Sequence, residues 1–276
     1  MTATDAVTLH IPDTRPRASA LQQWWVLTSR LIAPTLRNGE VLTSVLAPVV
    51  FTLGFYLPLK VVMSVFGLGM SSYAQYLMPL ITLQALAFCA ISAAFRAATD
   101  AVEGINRRFD AMPIGVGVPL AARMSATMLR FVISVAAAVA SGYIIGFRFY
   151  GTTWETAGFF AFALLIGAAL SVGADLLGTL SSSPEATTQV LMLPQLILGM
   201  LSVGFAPAHQ FPTWIQGFVR NQPVSQFVIG LRALAGDSTP NAGEVTWSVM
   251  GPPLAWAIGL LIVFLPLSVW SISRRP

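Results

Sequence analysis

Residues 76–95 read YLMPLITLQALAFCAISAAF, an apolar stretch without a single charged side chain. A helix of about 20 such residues crosses the hydrocarbon core of a bilayer, which is about 30 Å thick. Similar stretches recur along the chain, and the sequence predicts six membrane spans, at 41–59, 76–95, 120–147, 157–180, 189–206 and 250–271. We expect all of them to be helical, because every backbone N–H and C=O group in lipid must be bonded within its own segment.

The overall composition supports the same interpretation. Only 9% of the 276 residues are charged and 55% are hydrophobic, and the mean hydropathy is +0.74. Soluble domains carry about 25% charged residues, so a soluble globule would lack the polar side chains to cover its surface. The sequence therefore predicts an all-α, polytopic membrane protein. Its net charge of +4 does not indicate nucleic-acid binding, because the arginines are spread along loop ends, and the single cysteine, Cys89, is expected in the core.

The distribution of Lys and Arg predicts the orientation of the chain in the cell (plasma) membrane, because cytoplasmic loops carry the excess of these residues. With both termini in the cytoplasm, the inner side holds 11 of the 15 basic residues: Arg15, Arg17, Arg30, Arg37, Arg96, Arg107, Arg108, Arg123, Arg130, Arg274 and Arg275. The outer side then holds Lys60, Arg148, Arg220 and Arg232. We expect residues 1–18, which lack an apolar core, to be a disordered cytoplasmic tail.

Residues 19–37 precede the first span and have helical periodicity. Apolar and small side chains recur at intervals of three and four residues: Leu21, Trp24, Trp25, Thr28, Ile32, Thr35 and Leu36. Arg30 lies off this stripe, and Pro34 is expected to kink or end the helix. The pattern predicts an amphipathic helix in the cytoplasmic interface, with Trp24 and Trp25 at headgroup depth. A plain extension that packs on its own bundle is the alternative. Residues 38–276 are then the six-helix membrane domain.

The largest inner loop, residues 96–119, is rich in charge. Its apolar members Ala98, Val102, Ile105, Phe109 and Met112 recur at helical spacing. This predicts a short amphipathic helix that ends near Pro113 and Gly115. An apolar ridge flanked by charges suits a groove on a partner protein, whereas a loop helix resting on the bilayer surface is equally compatible with the pattern.

The largest outer segment lies between the last two spans and contains two apolar groups. Residues 211–219 form the first and residues 227–234 the second, and each is too short to span a membrane. The pattern predicts two short re-entrant helices that dip into the outer leaflet, with Arg220, Arg232 and Asp237 at the water boundary. A compact extracellular cap is the alternative.

Asp175 is the acidic residue furthest inside a predicted span. Ionisable groups at membrane depth are costly and often functional, but Asp175 lies close to the inner end of its span. We therefore favour a bond to a neighbouring helix, or a position at the interface, over a proton or substrate site. Gly167, Gly173 and Gly178 on the same span predict close helix packing.

Signatures of enzymes are missing from the sequence. The phosphate-binding loop Gly-x-x-x-x-Gly-Lys-Ser/Thr does not occur, and Lys60 is the single lysine. These absences favour transport that is powered by another protein. A secondary transporter would need further carboxylates or repeated broken helices, and a scaffold subunit of a lipid-synthesis complex is the remaining alternative.

Three sequence stretches resemble the membrane subunits of ABC-2 type exporters. They are DAVEGINRRFDAMP at 100–113, LSVGFAP at 201–207, in which Val203 splits the usual Ser-Gly pair, and FPTWI at 211–215 followed by QP at 222–223 and LRAL at 231–234. The stretches NGEVLT at 38–43, FRAATD at 95–100 and RNQPVSQF at 220–227 are similar to the daunorubicin-resistance-type permeases of actinobacteria, in particular the mycobacterial B-type subunit.

This resemblance implies the ABC-2 exporter fold and its partners. It implies a non-catalytic permease that works with two copies of a cytoplasmic ABC ATPase, a second related permease and membrane lipids. The ATPase, and not this chain, would bind ATP and Mg²⁺. The cargo would be a lipophilic drug or a complex lipid such as a phthiocerol dimycocerosate.

The resemblance also implies roles for two groups of residues. Those implied to contact the ATPase are Asp100, Glu103, Ile105, Arg107, Arg108, Phe109 and Met112. Those implied to lie at the substrate exit are Phe211, Trp214, Phe218 and Phe227.

Overall fold

The computed structural model describes residues 19–37, 39–66, 72–112, 114–115, 117–237 and 244–273. These residues form ten α-helices and one short 3-10 helix at Ala208–Gln210. The α-helices are α1 (Ala20–Arg37), α2 (Glu40–Phe66), α3 (Tyr73–Val102), α4 (Ile105–Asp110), α5 (Val118–Ile145), α6 (Thr153–Leu180), α7 (Pro184–Met200), α8 (Thr213–Asn221), α9 (Pro223–Leu234) and α10 (Trp247–Ser273). The predicted all-α fold is confirmed, whereas the predicted tail at 1–18 lies outside the described residues.

Five of the described helices are long and apolar enough to cross a membrane: α2, α3, α5, α6 and α10. They coincide with five of the six predicted spans. The remaining span, predicted at 189–206, corresponds to α7, whose 17 residues are at the short end of the range for a transmembrane helix. Its predicted end was wrong, because the helix stops at Met200. The Ser202 hydroxyl accepts a hydrogen bond from the Gly204 amide (3.2 Å), and such local bonds compete with a helix.

Helix α3 is the centre of the bundle and packs against α2, α5, α6, α7 and α9. It is the most buried of the five membrane-length helices. Its contact with α6 is close, since a Cβ atom on Gly178 would lie 2.3 Å from the carbonyl oxygen of Ala94. The close packing predicted from the glycines of this span is thus confirmed, and the larger side chains of the core, such as Phe131 and Phe162, fill the space around it.

Helix α1 packs lengthwise against α5. The Trp24 indole N–H donates to the Ser125 hydroxyl (3.1 Å), whereas Trp25 is 64% exposed. One face of the helix therefore packs on the bundle, as the alternative interpretation proposed, and the position of the other face in the membrane interface stays a prediction. The helix spans Ala20–Arg37, in agreement with the predicted range 19–37, and Pro34 therefore does not end it; a kink at Pro34 stays a prediction. Pro34 is exposed, so water can satisfy the carbonyl group to which a proline cannot donate.

Candidate functional site

The inner candidate segment begins further along the chain than the sequence predicted. Helix α3 continues to Val102, so Asp100 belongs to this long helix and not to a loop. Gly104 then turns the chain with φ +70°, a conformation that glycine adopts without strain, and α4 follows at Ile105–Asp110. We call residues 102–112 the coupling segment.

The side chains of the coupling segment divide into two sets. Val102, Glu103, Arg107, Arg108 and Met112 are exposed. Ile105 and Phe109 are half-buried and line a cavity of about 390 Å³ that Leu27 and Leu31 of α1 also line. The predicted contact residues are thus not one continuous surface, because Phe109 faces α1 while Glu103 and Arg107 point outward.

A buried polar cluster attaches the coupling segment to the bundle. Arg123 of α5 forms a bidentate pair with Asp175 of α6, with Nε to Oδ1 at 2.8 Å and Nη2 to Oδ2 at 3.1 Å. The same guanidinium donates from Nη1 to Oδ1 of Asn106 in α4 at 3.5 Å. We call Asn106, Arg123 and Asp175 the inner tether.

The inner tether confirms the prediction that Asp175 bonds to a neighbouring helix. Sequence reasoning missed its partners Asn106 and Arg123. Opposite charges at the inner ends of two predicted spans were the signal that could have paired Arg123 with Asp175, whereas nothing in the sequence singled out Asn106.

The outer segment contains two short helices, as predicted. Gln222 separates α8 from α9 in an extended conformation, which the following Pro223 favours. Helix α8 is largely exposed, with Trp214 82% and Phe218 50% accessible, whereas Phe227 of α9 is 2% accessible. The four predicted exit residues are therefore not brought to one surface, and the insertion of this pair into the outer leaflet stays a prediction.

The side chains of Gln222, just before α9, and of Ser225 in α9 bind the end of α7 and the residues that follow it. The Gln222 side-chain amide donates to the carbonyl groups of Leu198 (2.8 Å) and Leu201 (3.0 Å), and the Ser225 hydroxyl accepts from the Val203 amide (3.1 Å). These bonds hold the LSVGFAP stretch, residues 201–207, in its turn. Val203, whose place in this stretch is unusual, participates through its backbone.

Arg232 links α9 to two further elements. Its Nη2 donates to the carbonyl groups of Tyr76 (3.0 Å) and Val203 (3.3 Å), and its guanidinium lies 3.9 Å from the centre of the Tyr76 ring. The Tyr76 hydroxyl also donates to the Val203 carbonyl. We call Tyr76, Val203, Gln222, Ser225 and Arg232 the outer latch.

The predicted position of Arg232 and Asp237 at the water boundary was wrong. They are 2% and 7% exposed, respectively, and lie 3.9 Å apart from Nε to Oδ2. Carbonyl oxygens, the tyrosine ring and the carboxylate together replace water around the guanidinium. Arg220 of α8 is exposed, in agreement with the prediction.

An apolar cavity of about 280 Å³ lies between α3, α6, α7, α9 and α10. Its wall is hydrocarbon apart from Gln84 and Gln195, whose side-chain amides bond to each other. Phe227 and Phe264 close it from α9 and α10, and Ala87 lines it from α3. A cavity of this composition suits an apolar ligand and offers water few partners.

The described helices thus form a membrane bundle that has an exposed charged segment and, apart from it, a buried polar latch. The chain belongs to the ABC-2 transporter family, because the family described as ABC-2 family transporter protein matches residues 62–270. It is therefore a membrane component of an ABC transporter and is not catalytic by itself. The resemblance found in the sequence is confirmed.

Three similar proteins cover between 58% and 94% of the chain. The doxorubicin resistance ABC transporter permease protein DrrB of Mycobacterium tuberculosis is 46% identical over 265 residues, covering 94% of this chain and 92% of the relative. The daunorubicin resistance ABC transporter permease protein DrrB1 of Streptomyces coeruleorubidus is 28% identical and covers 83% of this chain and 78% of the relative. A probable doxorubicin resistance permease of M. tuberculosis, DrrC, is 25% identical and covers 58% of this chain and 55% of the relative.

Proposed function

We propose that this permease moves a lipophilic substrate from the inner leaflet outward. The apolar cavity between α3, α6, α7, α9 and α10 carries the proposal, because its wall offers hydrocarbon to a ligand and almost no polar group. Relatives named for doxorubicin and daunorubicin resistance support a hydrophobic drug as one cargo. A complex lipid such as a phthiocerol dimycocerosate is the second cargo, since long alkyl chains match an apolar wall even better than a drug with polar groups.

The proposed complex contains two copies of a cytoplasmic ABC ATPase, which bind ATP and Mg²⁺, and a second related permease. The surface of α7 supports the permease partner, because only Thr187 and Gly199 of its 17 residues are buried. Similarity to both DrrB and DrrC of one organism supports a partner related to this chain. The complex lies in the cell membrane, with both termini in the cytoplasm as the arginine distribution indicates.

The coupling segment is the proposed contact with the ATPase. Exposed Glu103 and Arg107 are available to a groove on that partner, and Asn106 connects the same helix to Arg123. Movement of α4 is transmitted through the inner tether to α5 and α6. ATP drives the change because the ATPase binds it with different affinity in the inward- and outward-accessible states.

Affinity purification of the tagged chain from its native membrane tests the complex. We expect a soluble ATPase and a second permease to co-purify, and we expect Glu103→Lys with Arg107→Glu to lower ATPase recovery about tenfold, or about 1.4 kcal/mol. Ser182→Lys is the control, because Ser182 is also exposed at the predicted inner side and lies before α7. Purification without any ATPase would instead favour a scaffold subunit.

A bulky side chain in the apolar cavity tests the substrate. Ala87→Phe should abolish stimulation of the complex's ATPase by a long-chain lipid or by doxorubicin while the complex still assembles. Ala136→Phe adds the same ring to an exposed position of α5 and should change neither. Unchanged stimulation in Ala87→Phe would place the substrate elsewhere.

A further inference from the structure

A second cavity, of about 390 Å³, opens at the predicted inner side between α1, α3, α4 and α5. Arg30 of α1, Arg108 of α4 and Arg123 of α5 all line it. Between them the wall is apolar and includes Leu27, Leu31 and Phe109. Arginines from three helices thus line a cavity whose wall is otherwise largely apolar. A cavity in a hydrophobic core would lack the arginines, and a charged surface would lack the apolar wall.

We propose that this cavity binds an anionic phospholipid of the inner leaflet, with the phosphate at Arg30 and Arg108 and the start of an acyl chain along Leu27 and Leu31. Guanidinium groups bind phosphate oxygens in pairs through parallel N–H donors. Basic pockets between helices on the cytoplasmic side of membrane proteins are suited to lipid headgroups. The inference rests on the proposed topology, which puts α1 and α4 on the cytoplasmic side.

The charge balance at the cavity favours an anion at its mouth. Arg123 is already held by both oxygens of Asp175. Asp100 is a carboxylate among the described lining residues, and it also faces Arg96 and Arg123 in an adjoining cavity of about 180 Å³. The negative charges of Asp175 and Asp100 therefore lie beside the positive charges of Arg123 and Arg96 at the inner wall of the cavity. Arg30 and Arg108, which are exposed, leave the mouth positive.

The apolar part of the wall distinguishes a lipid from a free phosphate ion. A free ion would gain nothing from Leu27, Leu31 and Phe109, whereas an acyl chain can pack against them and cover them from water. Helix α1 continues this apolar surface outward, with Leu21 and Trp25 exposed beside the bundle. An amphipathic helix of this kind places the mouth of the cavity at headgroup depth.

Binding of defined lipids to the purified full-length chain tests the inference. The chain is measured in phosphatidylcholine nanodiscs by native mass spectrometry and thermal unfolding, with added phosphatidylglycerol, extra phosphatidylcholine or inorganic phosphate. We expect phosphatidylglycerol alone to bind and to raise the unfolding temperature. Arg30→Gln with Arg108→Gln should weaken this binding at least about tenfold, and Arg30→Lys with Arg108→Lys should weaken it less. Arg220→Gln, which removes an exposed arginine at the opposite side, should change nothing.

Other outcomes would overturn the inference. Equal stabilisation by inorganic phosphate would indicate a site for a soluble anion, and equal binding of phosphatidylcholine would show that the arginines do not select a headgroup. Full phosphatidylglycerol binding by the double glutamine variant would place the lipid elsewhere. The readout needs neither ATPase nor transport. Purification of the unaltered chain without any ATPase, together with intact lipid binding, would therefore contradict the proposed function alone.

Discussion

The coupling segment and the outer helix pair are both short helices outside the membrane-length spans, but they hold their charges in opposite ways. In the coupling segment Glu103 and Arg107 are exposed, and Asn106 is the described polar link from α4 to the bundle through Arg123. In the outer pair Arg232 is buried and bonds to the carbonyl groups of two other elements.

The exposed charges of the coupling segment are therefore available to a partner protein, whereas the buried charge of the outer pair already has its partners within this chain. Exposed charges contribute about 0–1 kcal/mol to folding, so the coupling segment can exchange water for a partner at little cost to the bundle. Charges buried with their partners are expensive to separate. We therefore expect the outer latch to hold α7, α9 and α3 together while the coupling segment responds to the ATPase.

The largest expected effect is the loss of the buried arginine. Arg232→Met should destabilise the chain by about 3–5 kcal/mol, because it leaves Asp237 buried without this cation and removes donors from the Tyr76 and Val203 carbonyl groups. Thermal and denaturant unfolding in detergent, followed by tryptophan fluorescence, measures the change. Arg220→Met is the matched control on exposed α8 and should stay within about 0.5 kcal/mol. Equal stability of the two variants would refute the contrast between exposed and buried charge.

A slightly smaller effect is expected at the inner tether. Asp175→Asn should cost about 3 kcal/mol, the low end for a broken buried ion pair, because the Arg123 side chain keeps 12% of its surface in contact with solvent. Removing both charges, by Arg123→Met with Asp175→Leu, should cost less than Asp175→Asn alone, since no charge is left unpaired. The same unfolding assay compares the two. If Asp175→Asn leaves stability unchanged but stops transport, Asp175 acts on protons or substrate and is not merely a structural partner.

The sequence predicted where the short helices lie between the spans, but not which polar side chains bond to one another. Long apolar runs gave the spans, helical periodicity gave α4, and two short apolar groups gave α8 and α9, because all three features depend only on neighbouring residues. The resemblance to ABC-2 subunits implies short helices in the same two stretches, and the roles of these helices stay predictions. The helix ends near Asp100 and Met200 were not predicted, since the end of an apolar run is not the end of a helix. Helix α3 continues past Phe95 through the polar residues Arg96, Thr99 and Asp100, whereas α7 stops within an apolar run.

The burial of Arg232 could not be predicted for a different reason. Its partners are backbone carbonyl groups of Tyr76 and Val203, which are 156 and 29 residues away in the chain and leave no trace in the identity of their side chains. A pair of oppositely charged side chains, such as Arg123 and Asp175, can be recognised in a sequence. A charged side chain that is bonded to backbone carbonyl oxygens cannot.

Phe109 tests the inner half of the contrast with a smaller effect on stability. Phe109→Asp should cost about 1 kcal/mol of folding, because a half-buried ring loses part of the 1.5–3 kcal/mol of a fully buried one. It should nevertheless uncouple ATP hydrolysis from export, since it puts a charge into the cavity wall that α4 shares with α1. Substrate export per ATP hydrolysed, measured in proteoliposomes, is the readout, and Phe109→Leu should retain coupling. Unchanged export per ATP in Phe109→Asp would remove this residue from the coupling contact.

The smallest expected effect on folding is at Trp214, and it tests whether α8 enters the outer leaflet. Trp214→Phe should change stability by less than about 0.5 kcal/mol, because the side chain is 82% exposed in the isolated chain.

If α8 dips into lipid, brominated lipid chains quench the fluorescence of Trp214. The fraction of tryptophan fluorescence quenched by these lipids should then be smaller in Trp214→Phe than in the unaltered chain. Trp154→Phe is the control, since Trp154 is 87% exposed at the start of α6, where a membrane helix emerges into the headgroups. The terminal backbone groups of two short helices in lipid need partners outside each helix, so the two helices must pack against protein. Helix α9 has a buried face that supplies such packing. If Trp214→Phe instead removes fluorescence that the water-soluble quencher acrylamide reaches, Trp214 lies in water. Helix α8 would then be part of an extracellular cap and not of a re-entrant pair.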